Sequence, residues 1–445
     1  MLSVFGNRLH NKLSSNTLLF CIYAIIAACS TYAFMYGFRK PVSVGLYADT
    51  SLLGLSLKTL YLTAQIFGYA LSKFIGIKII SELQSHGRAK AILVLVFFAW
   101  AALLGFALVP QPYNAVFMLL NGLPLGMVWG IVFSYLEGRR VTEILAAGLC
   151  TSFIIASGLV KTVGSYLIID YGINELWMPF ATATCFLPLL ILSVWMLDQL
   201  PPPNQEDIKQ RCARVPMTKA NRKELLQLLG FGLTLLIIGY VLLTVLRDLR
   251  DSFAADVWLA TGLDGAPALF TLTELPIALV VLVIVALLKL IKDNHLAMVI
   301  NHLLIFAGFT ITLLSSLAYQ QGMLSPIYWM VLNGIGLYLA YVPFSTTLFE
   351  RLIATFNRPA NVGFLTYLAD SFGYLGTVGV MVYQSLVIAQ VDWNDFLREL
   401  SIFTGALGAL LSLTSLGYFV FKNKRSQLNN NEFLQQNYAT TQKNN

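Results

Sequence analysis

Charged side chains are scarce. Asp, Glu, Lys and Arg make up 11% of the 445 residues, against about 25% in an ordinary soluble domain. With 57% hydrophobic residues beside them, that scarcity excludes a water-soluble fold, which would lack the polar side chains to cover its surface. Cysteine is sparse as well: Cys21, Cys29, Cys150, Cys185 and Cys212 are odd in number, scattered and mostly inside apolar runs. Neither a disulfide framework nor a metal site is implied. The chain also lacks a Gly-rich phosphate loop, a His/Asp metal cluster and a nucleophile motif. Those absences argue against direct use of ATP, against an enzyme and against any cofactor.

What the chain has instead is apolar length. Its mean hydropathy is +0.71, and stretches of roughly 20 apolar residues, enough to cross ~30 Å of hydrocarbon, recur from end to end. The expected spans are 17–39, 58–80, 90–109, 114–136, 144–168, 176–197, 225–247, 266–290, 296–318, 326–348, 361–387 and 399–421. Helices are required, because an open sheet in lipid leaves backbone groups unpaired. Arg8 and Lys12 ahead of Ile26-Ala27-Ala28-Cys29 imitate a lipid-modified signal sequence, yet the apolar run continues to Phe38 and reads as a retained first span.

A formal charge of +7 in a soluble protein would suggest nucleic acid. Here the basic residues occupy alternate short connections: Arg8 and Lys12, Arg88 and Lys90, Arg139 and Arg140, Lys209 to Lys223, Lys289 and Lys292, Arg351 and Arg358, then Lys422, Lys424 and Arg425. The opposite connections, 109–113, 168–176 and 319–325, have none. The positive-inside rule then places both termini in the cytoplasm of a multi-pass plasma (inner) membrane protein. Its expected partners are the bilayer and a small anionic solute, with no nucleic acid, and a monomer suffices.

The halves repeat. Asn121-Gly122 and Asn333-Gly334 open spans four and ten, with Glu137 and Glu350 near their far ends. Gly148, Thr151, Gly158 and Thr162-Val163-Gly164 recur as Gly363, Thr366, Gly373 and Thr377-Val378-Gly379 at a shift of 215. Tyr32 and Arg39 recur as Tyr240 and Arg247 at a shift of 208. The expected architecture is all-α and membrane-integral: twelve transmembrane helices in two pseudo-symmetric six-helix bundles, 1–200 and 225–425, joined by a polar cytoplasmic linker, 201–224, and followed by a disordered tail, 426–445. Duplicated bundles around a midplane site are a transporter architecture.

Ionisable residues inside spans cost roughly 2.5–3.5 kcal/mol each on insertion scales, so each demands a partner, a water-filled cavity or an interface. They are Arg39, Lys40, Lys73, Lys161, Arg247, Asp248, Arg250, Asp251, Glu274 and Asp370. Tyr32, Tyr36 and Arg39 share a helical face, as do Tyr240, Thr244 and Arg247. Two arginines at equivalent positions of two halves can grip one anion, since guanidinium stays protonated and its planar fork matches phosphate or carboxylate oxygens. The other reading turns both arginines outward to the headgroup interface, and Arg250 beside Arg247 leaves two residues able to fill the second position. Lys161, Glu274 and Asp370 suit gating pairs, proton coupling or substrate contact equally well.

With these residues in view, the chain resembles the major facilitator superfamily, and within it the organophosphate:phosphate antiporters that carry glycerol 3-phosphate or hexose phosphates. The likeness rests on Tyr36-Gly-Phe-Arg39-Lys40, on Gly68-Tyr69-Ala-Leu-Ser72-Lys73-Phe74 with Ser81-Glu82 and Gly87-Arg88 after it, on Asn121-Gly122-Leu-Pro-Leu-Gly126-Met127-Val-Trp129, and on Phe372-Gly373-Tyr374-Leu375-Gly376. Span five has no histidine where those antiporters carry one. The resemblance implies that Arg39 and Arg247 bind the phosphate group, that Lys40 and Lys73 add positive potential and that Glu274 engages these cations. It also implies that spans two and eleven meet across the halves, as do five and eight. Complementary charge then suggests Lys73 with Asp370 and Lys161 with Glu274 as two gates. The function expected is secondary active transport of a small anion, an organic phosphate among the candidates, by alternating access, with exchange against phosphate or proton coupling as the driving force. The rival reading is a transport-fold sensor that binds an anion without moving it.

Overall fold

The computed structural model describes residues 12–47, 51–52, 55–82, 87–136, 139, 141–203, 219–263, 266–288, 290–356, 362–387 and 391–443. Most of the expected linker (204–218), the basic residue Arg8 and the repeat residue Glu137 lie outside them.

Each expected span coincides with one long helix. The first half contains α1 (Thr17–Tyr36), α2 (Leu57–Glu82), α3 (Arg88–Leu108), α4 (Ala115–Leu136), α5 (Thr142–Ile169) and α6 (Met178–Asp198). The second contains α7 (Lys219–Ser252), a short α8 (Ala254–Ala260), α9 (Leu269–Leu288), α10 (Asn294–Gln320), α11 (Pro326–Thr346), a short α12 (Leu348–Phe356), α13 (Val362–Val387) and α14 (Trp393–Lys443). A two-residue antiparallel ladder pairs Ser51 with Ser56 and Leu52 with Leu55 just before α2. Among the described residues, ten helices are long and apolar enough to cross a membrane by length and composition, and the chain is a multi-pass membrane protein. The other two long helices, α2 and α13, carry Gln65 and Lys73, and Asp370 and Gln384. They pack on each other across the halves. Their polarity reflects an inward-facing position.

Helices within each half pack mainly among themselves, and the principal contacts across run through α2–α13 and α5–α9. Close approach is built from small residues, as is usual where lipid offers no hydrophobic drive between helices. At Gly122 of α4 an added Cβ would overlap the Gln65 carbonyl oxygen of α2, and at Gly158 of α5 it would sit 2.5 Å from the Phe270 carbonyl oxygen of α9. Backbone cannot yield as a side-chain tip can. Gly122→Val is therefore expected to push α4 off α2 and lower the yield of folded protein several-fold, read as the monodisperse fraction on size exclusion.

Two local expectations need correction. Arg39 does not extend the face of α1: the helix ends at Tyr36, and Arg39 and Lys40 follow in a turn whose amides both donate to the Tyr36 carbonyl, at 3.0 and 2.9 Å. Lys40 keeps right-handed helical geometry, and Pro41, which has no amide hydrogen to continue the ladder, opens a separate 3₁₀ turn over Pro41–Ser43. Conversely α7 runs five residues past Arg247 to Ser252, so Asp248, Arg250 and Asp251 are helical and interior. The helix of the last span, α14, runs on to Lys443. After Gly417 no glycine or proline interrupts that run.

Candidate anion site between the halves

Depth, which hydropathy left open, follows from helix geometry. Tyr69 is the thirteenth of 26 residues in α2, and Tyr374 the thirteenth of 26 in α13. Their rings meet with centroids 4.8 Å apart, so the site sits midway along both helices. Arg39 Cζ lies 3.8 Å from the Tyr69 centroid and 5.9 Å from that of Tyr374. Arg247 approaches the same Tyr374 ring at 5.8 Å, covers Tyr341 at 4.4 Å and donates from Nη2 to the Tyr374 hydroxyl at 3.1 Å. One arginine from each half thus converges on a single tyrosine. Neither points outward: Arg39 is 3% exposed, and the Arg247 side chain 13%. Arg250 turns away, at 2.8 Å from Glu274 Oε1 and 2.9 Å from the Met330 carbonyl oxygen. The residue opposite Arg39 is Arg247.

The turn that presents Arg39 is fixed from behind. Gln65 Nε2 donates to the Arg39 carbonyl at 3.0 Å and to Asn121 Oδ1 at 2.7 Å, and Asn121 Nδ2 donates to the carbonyls of Phe38 and Ala99, each at 3.0 Å. The repeated Asn-Gly pair therefore has a local use in this half. In the other half Gly334 leaves room for the Arg250 guanidinium, where a Cβ would lie 2.8 Å from Nη2.

Every interior carboxylate faces a cation. Lys73 pairs with Asp370 across the halves at 3.0 Å. Asp251 of α7 takes Lys40 and Lys161 together, both from the other half, and accepts from Ser157. Arg247 pairs with its neighbour Asp248 at 3.0 Å. Lys161 and Glu274, expected as partners, are not paired: Lys161 is on Asp251, and Glu274 on Arg250. The extra turn of α7 explains this, because it carries Asp251 and Arg250 between them. Tyr240 donates to Asp370 Oδ1 at 2.7 Å and shares a 2.7 Å hydrogen bond with Tyr341. Tyr32 packs edge-on against Tyr36 at 5.3 Å and hydrogen-bonds to Tyr69.

Arg39 stands apart. Among the described residues its guanidinium has no carboxylate and no hydrogen-bond acceptor, and its buried Nε is unpartnered. Its aromatic contacts attract a cation without neutralising it. Among the described residues seven interior cations (Arg39, Lys40, Lys58, Lys73, Lys161, Arg247 and Arg250) share five carboxylates (Asp248, Asp251, Asp256, Glu274 and Asp370). Two positive charges have no carboxylate of their own. Tyr69, Tyr374, Tyr341, Gln65 and Asn121 were not expected at the site. Tyr69, Tyr374 and Asn121 do stand in the motifs quoted above, but nothing in their spacing says that their side chains meet.

Two six-helix halves that meet through α2–α13 and α5–α9 and hold buried charge between them form a fold shared with solved membrane transporters. The xylose transporter XylE from E. coli matches over 89% of this chain and 97% of its own, at 14% identity and a TM-score of 0.57. The peptide transporter POT in complex with alafosfalin matches over 90% and 94%, at 16% identity and 0.62, and the nucleoside transporter NupG over 90% and 98%, at 14% and 0.56. At such identities the likeness establishes the fold. Residues 41–422 match the Family of unknown function (DUF5690), and the chain belongs to that family. No curated protein sequence matches it.

Proposed function

We propose that this protein is a secondary active transporter that moves a small anionic solute, an organic phosphate or inorganic phosphate foremost, across the plasma membrane by alternating access. The observation that carries this reading is the Arg39 guanidinium, buried and without an anion, facing Arg247 over Tyr374. A buried cation without a counter-ion is costly, and a solute anion supplies the missing partner. The two surplus positive charges, one on Arg39 and the other left where Lys40 and Lys161 share Asp251, match a phosphate monoester, which carries close to two negative charges at neutral pH. Cytoplasmic termini follow from the distribution of lysine and arginine. The cross-half ion pairs then serve as gates, Lys73–Asp370 toward the cytoplasmic side and Lys40 and Lys161 with Asp251 toward the outer side, each opening as the halves rock.

The test is a thermal-shift screen of purified protein with phosphate esters, inorganic phosphate, carboxylates and amino acids, followed by uptake of the best ligand into proteoliposomes. The true ligand stabilises by RT ln(1 + [L]/Kd), and the shift shrinks in Arg39→Ala and Arg247→Ala. Stabilisation by no anion, or an equal shift in both variants, would remove the reading. Binding without vesicle uptake would convert it to the sensor.

A further inference from the structure

We propose that Asp370 is the proton-carrying group of this protein, so that anion movement is linked to proton movement through Lys73, Asp370, Tyr240 and Tyr341. The inference rests on the transporter reading and names its coupling ion.

The four carboxylates around the site differ in what holds them and in what reaches them; a fifth, Asp256, lies on the short α8 beyond the end of α7 and is held by Lys58. Asp248 is bound by the adjacent Arg247 and Glu274 by Arg250, both within the second half. Asp251 is shared by two lysines. Asp370 has a single ion-pair partner, Lys73, and that partner belongs to the other half. Its side chain is also the most accessible of the four, at 16% exposed against 12% for Glu274, 11% for Asp251 and 4% for Asp248. It is the carboxylate best placed to lose its cation and to meet water.

The hydrogen bonds around it suit both protonation states. Tyr240 donates to Oδ1 at 2.7 Å while Lys73 sits on Oδ2 at 3.0 Å. A phenol both donates and accepts. With Tyr341 2.7 Å further on, the pair can reverse direction when Asp370 becomes a donor. The groups facing Asp370 are Lys73 and Tyr69 from α2, Tyr240 and Arg247 from α7, Tyr341 from α11 and Tyr374 from its own helix. α12, which also touches α13, carries two charged side chains, Glu350 and Arg351, and Arg351 is engaged with Asn294 of α10.

The step is a proton addition. Lys73 Nζ lies 5.8 Å from the Tyr374 ring that both arginines share. When an anion enters there, Lys73 swings to it, and Asp370 Oδ2 takes a proton from hydronium at its exposed side. One O–H bond forms on the carboxyl, one breaks in the hydronium ion, and a water molecule is released. When the anion leaves on the far side, Lys73 returns and the proton goes to the water there.

The full chain in proteoliposomes, with inorganic phosphate as the probe, separates coupling from binding. In the wild type an inside-alkaline gradient drives phosphate accumulation. Asp370→Asn keeps the Tyr240 contact and is expected to lower the ratio of gradient-driven accumulation to phosphate:phosphate exchange by about tenfold or more, a split that general damage does not produce. Accumulation that ignores the gradient in a wild type that exchanges phosphate, or an unchanged gradient response in Asp370→Asn, overturns the proposal. A second measurement needs no substrate. Lys73→Met is expected to show, at neutral pH, the infrared carbonyl stretch of a protonated carboxyl that the wild type lacks and that adding Asp370→Asn removes. Absence of that band overturns the proposal too. Failure of the wild type to exchange phosphate, with the band present, counts against phosphate as the solute and leaves Asp370 as the proton acceptor.

Discussion

Arg39→Met separates stability from function in opposite directions. The guanidinium is buried without an ion pair, and its desolvation is offset only by the tyrosine rings and by Asp248 acting through space in the ligand-free protein. Methionine fills the space without a charge, and the apparent melting temperature in the absence of anion is expected to rise. The same change removes the charge-assisted, bidentate contacts that guanidinium offers an anion. Those are worth roughly 2 kcal/mol or more, about 30-fold in affinity. Thermal unfolding with and without the identified anion reads both effects. A variant that is less stable without anion and still stabilised by it would show that Arg39 is a structural cation.

Asp251→Asn is expected to act on the resting structure. Lys40 and Lys161 are 5% and 4% exposed, and Asp251 holds both from the opposite half. Removing one partner of a buried ion pair costs about 3–5 kcal/mol because the remaining charge is stranded, and here two are stranded. The halves should part at this end, exposing Ser157, introduced as a cysteine, to a membrane-impermeant thiol reagent. The double variant Asp251→Asn/Lys161→Met leaves one stranded ammonium and should recover part of the loss. A purely additive outcome would mean that the two residues act independently.

The architecture was legible because hydrophobic length is a local, one-dimensional signal. All twelve spans coincide with helices, and the duplication that pairs Arg39 with Arg247 marks residues that meet at Tyr374. Pairing between charges was legible only where one partner was available. Lys73 found Asp370, whereas Lys161 had Glu274 and Asp251 to choose from, and the length of α7 decided between them. The tyrosine floor and the Gln65–Asn121 clamp were hidden for a different reason. Tyrosine and amide side chains occur throughout membrane helices, and only the crossing of α2 with α4 and α13 brings these together.

The central claim is that one guanidinium from each half holds the same anion, and a double-mutant cycle on anion affinity tests it most directly. Dissociation constants for the best phosphate ester are measured by calorimetry in the wild type, Arg39→Lys, Arg247→Lys and the double variant. Two groups on one anion should be coupled, with the double variant departing from the sum of the single losses by about 0.5 kcal/mol or more. Strict additivity, or an affinity unchanged in either single variant, would contradict the account.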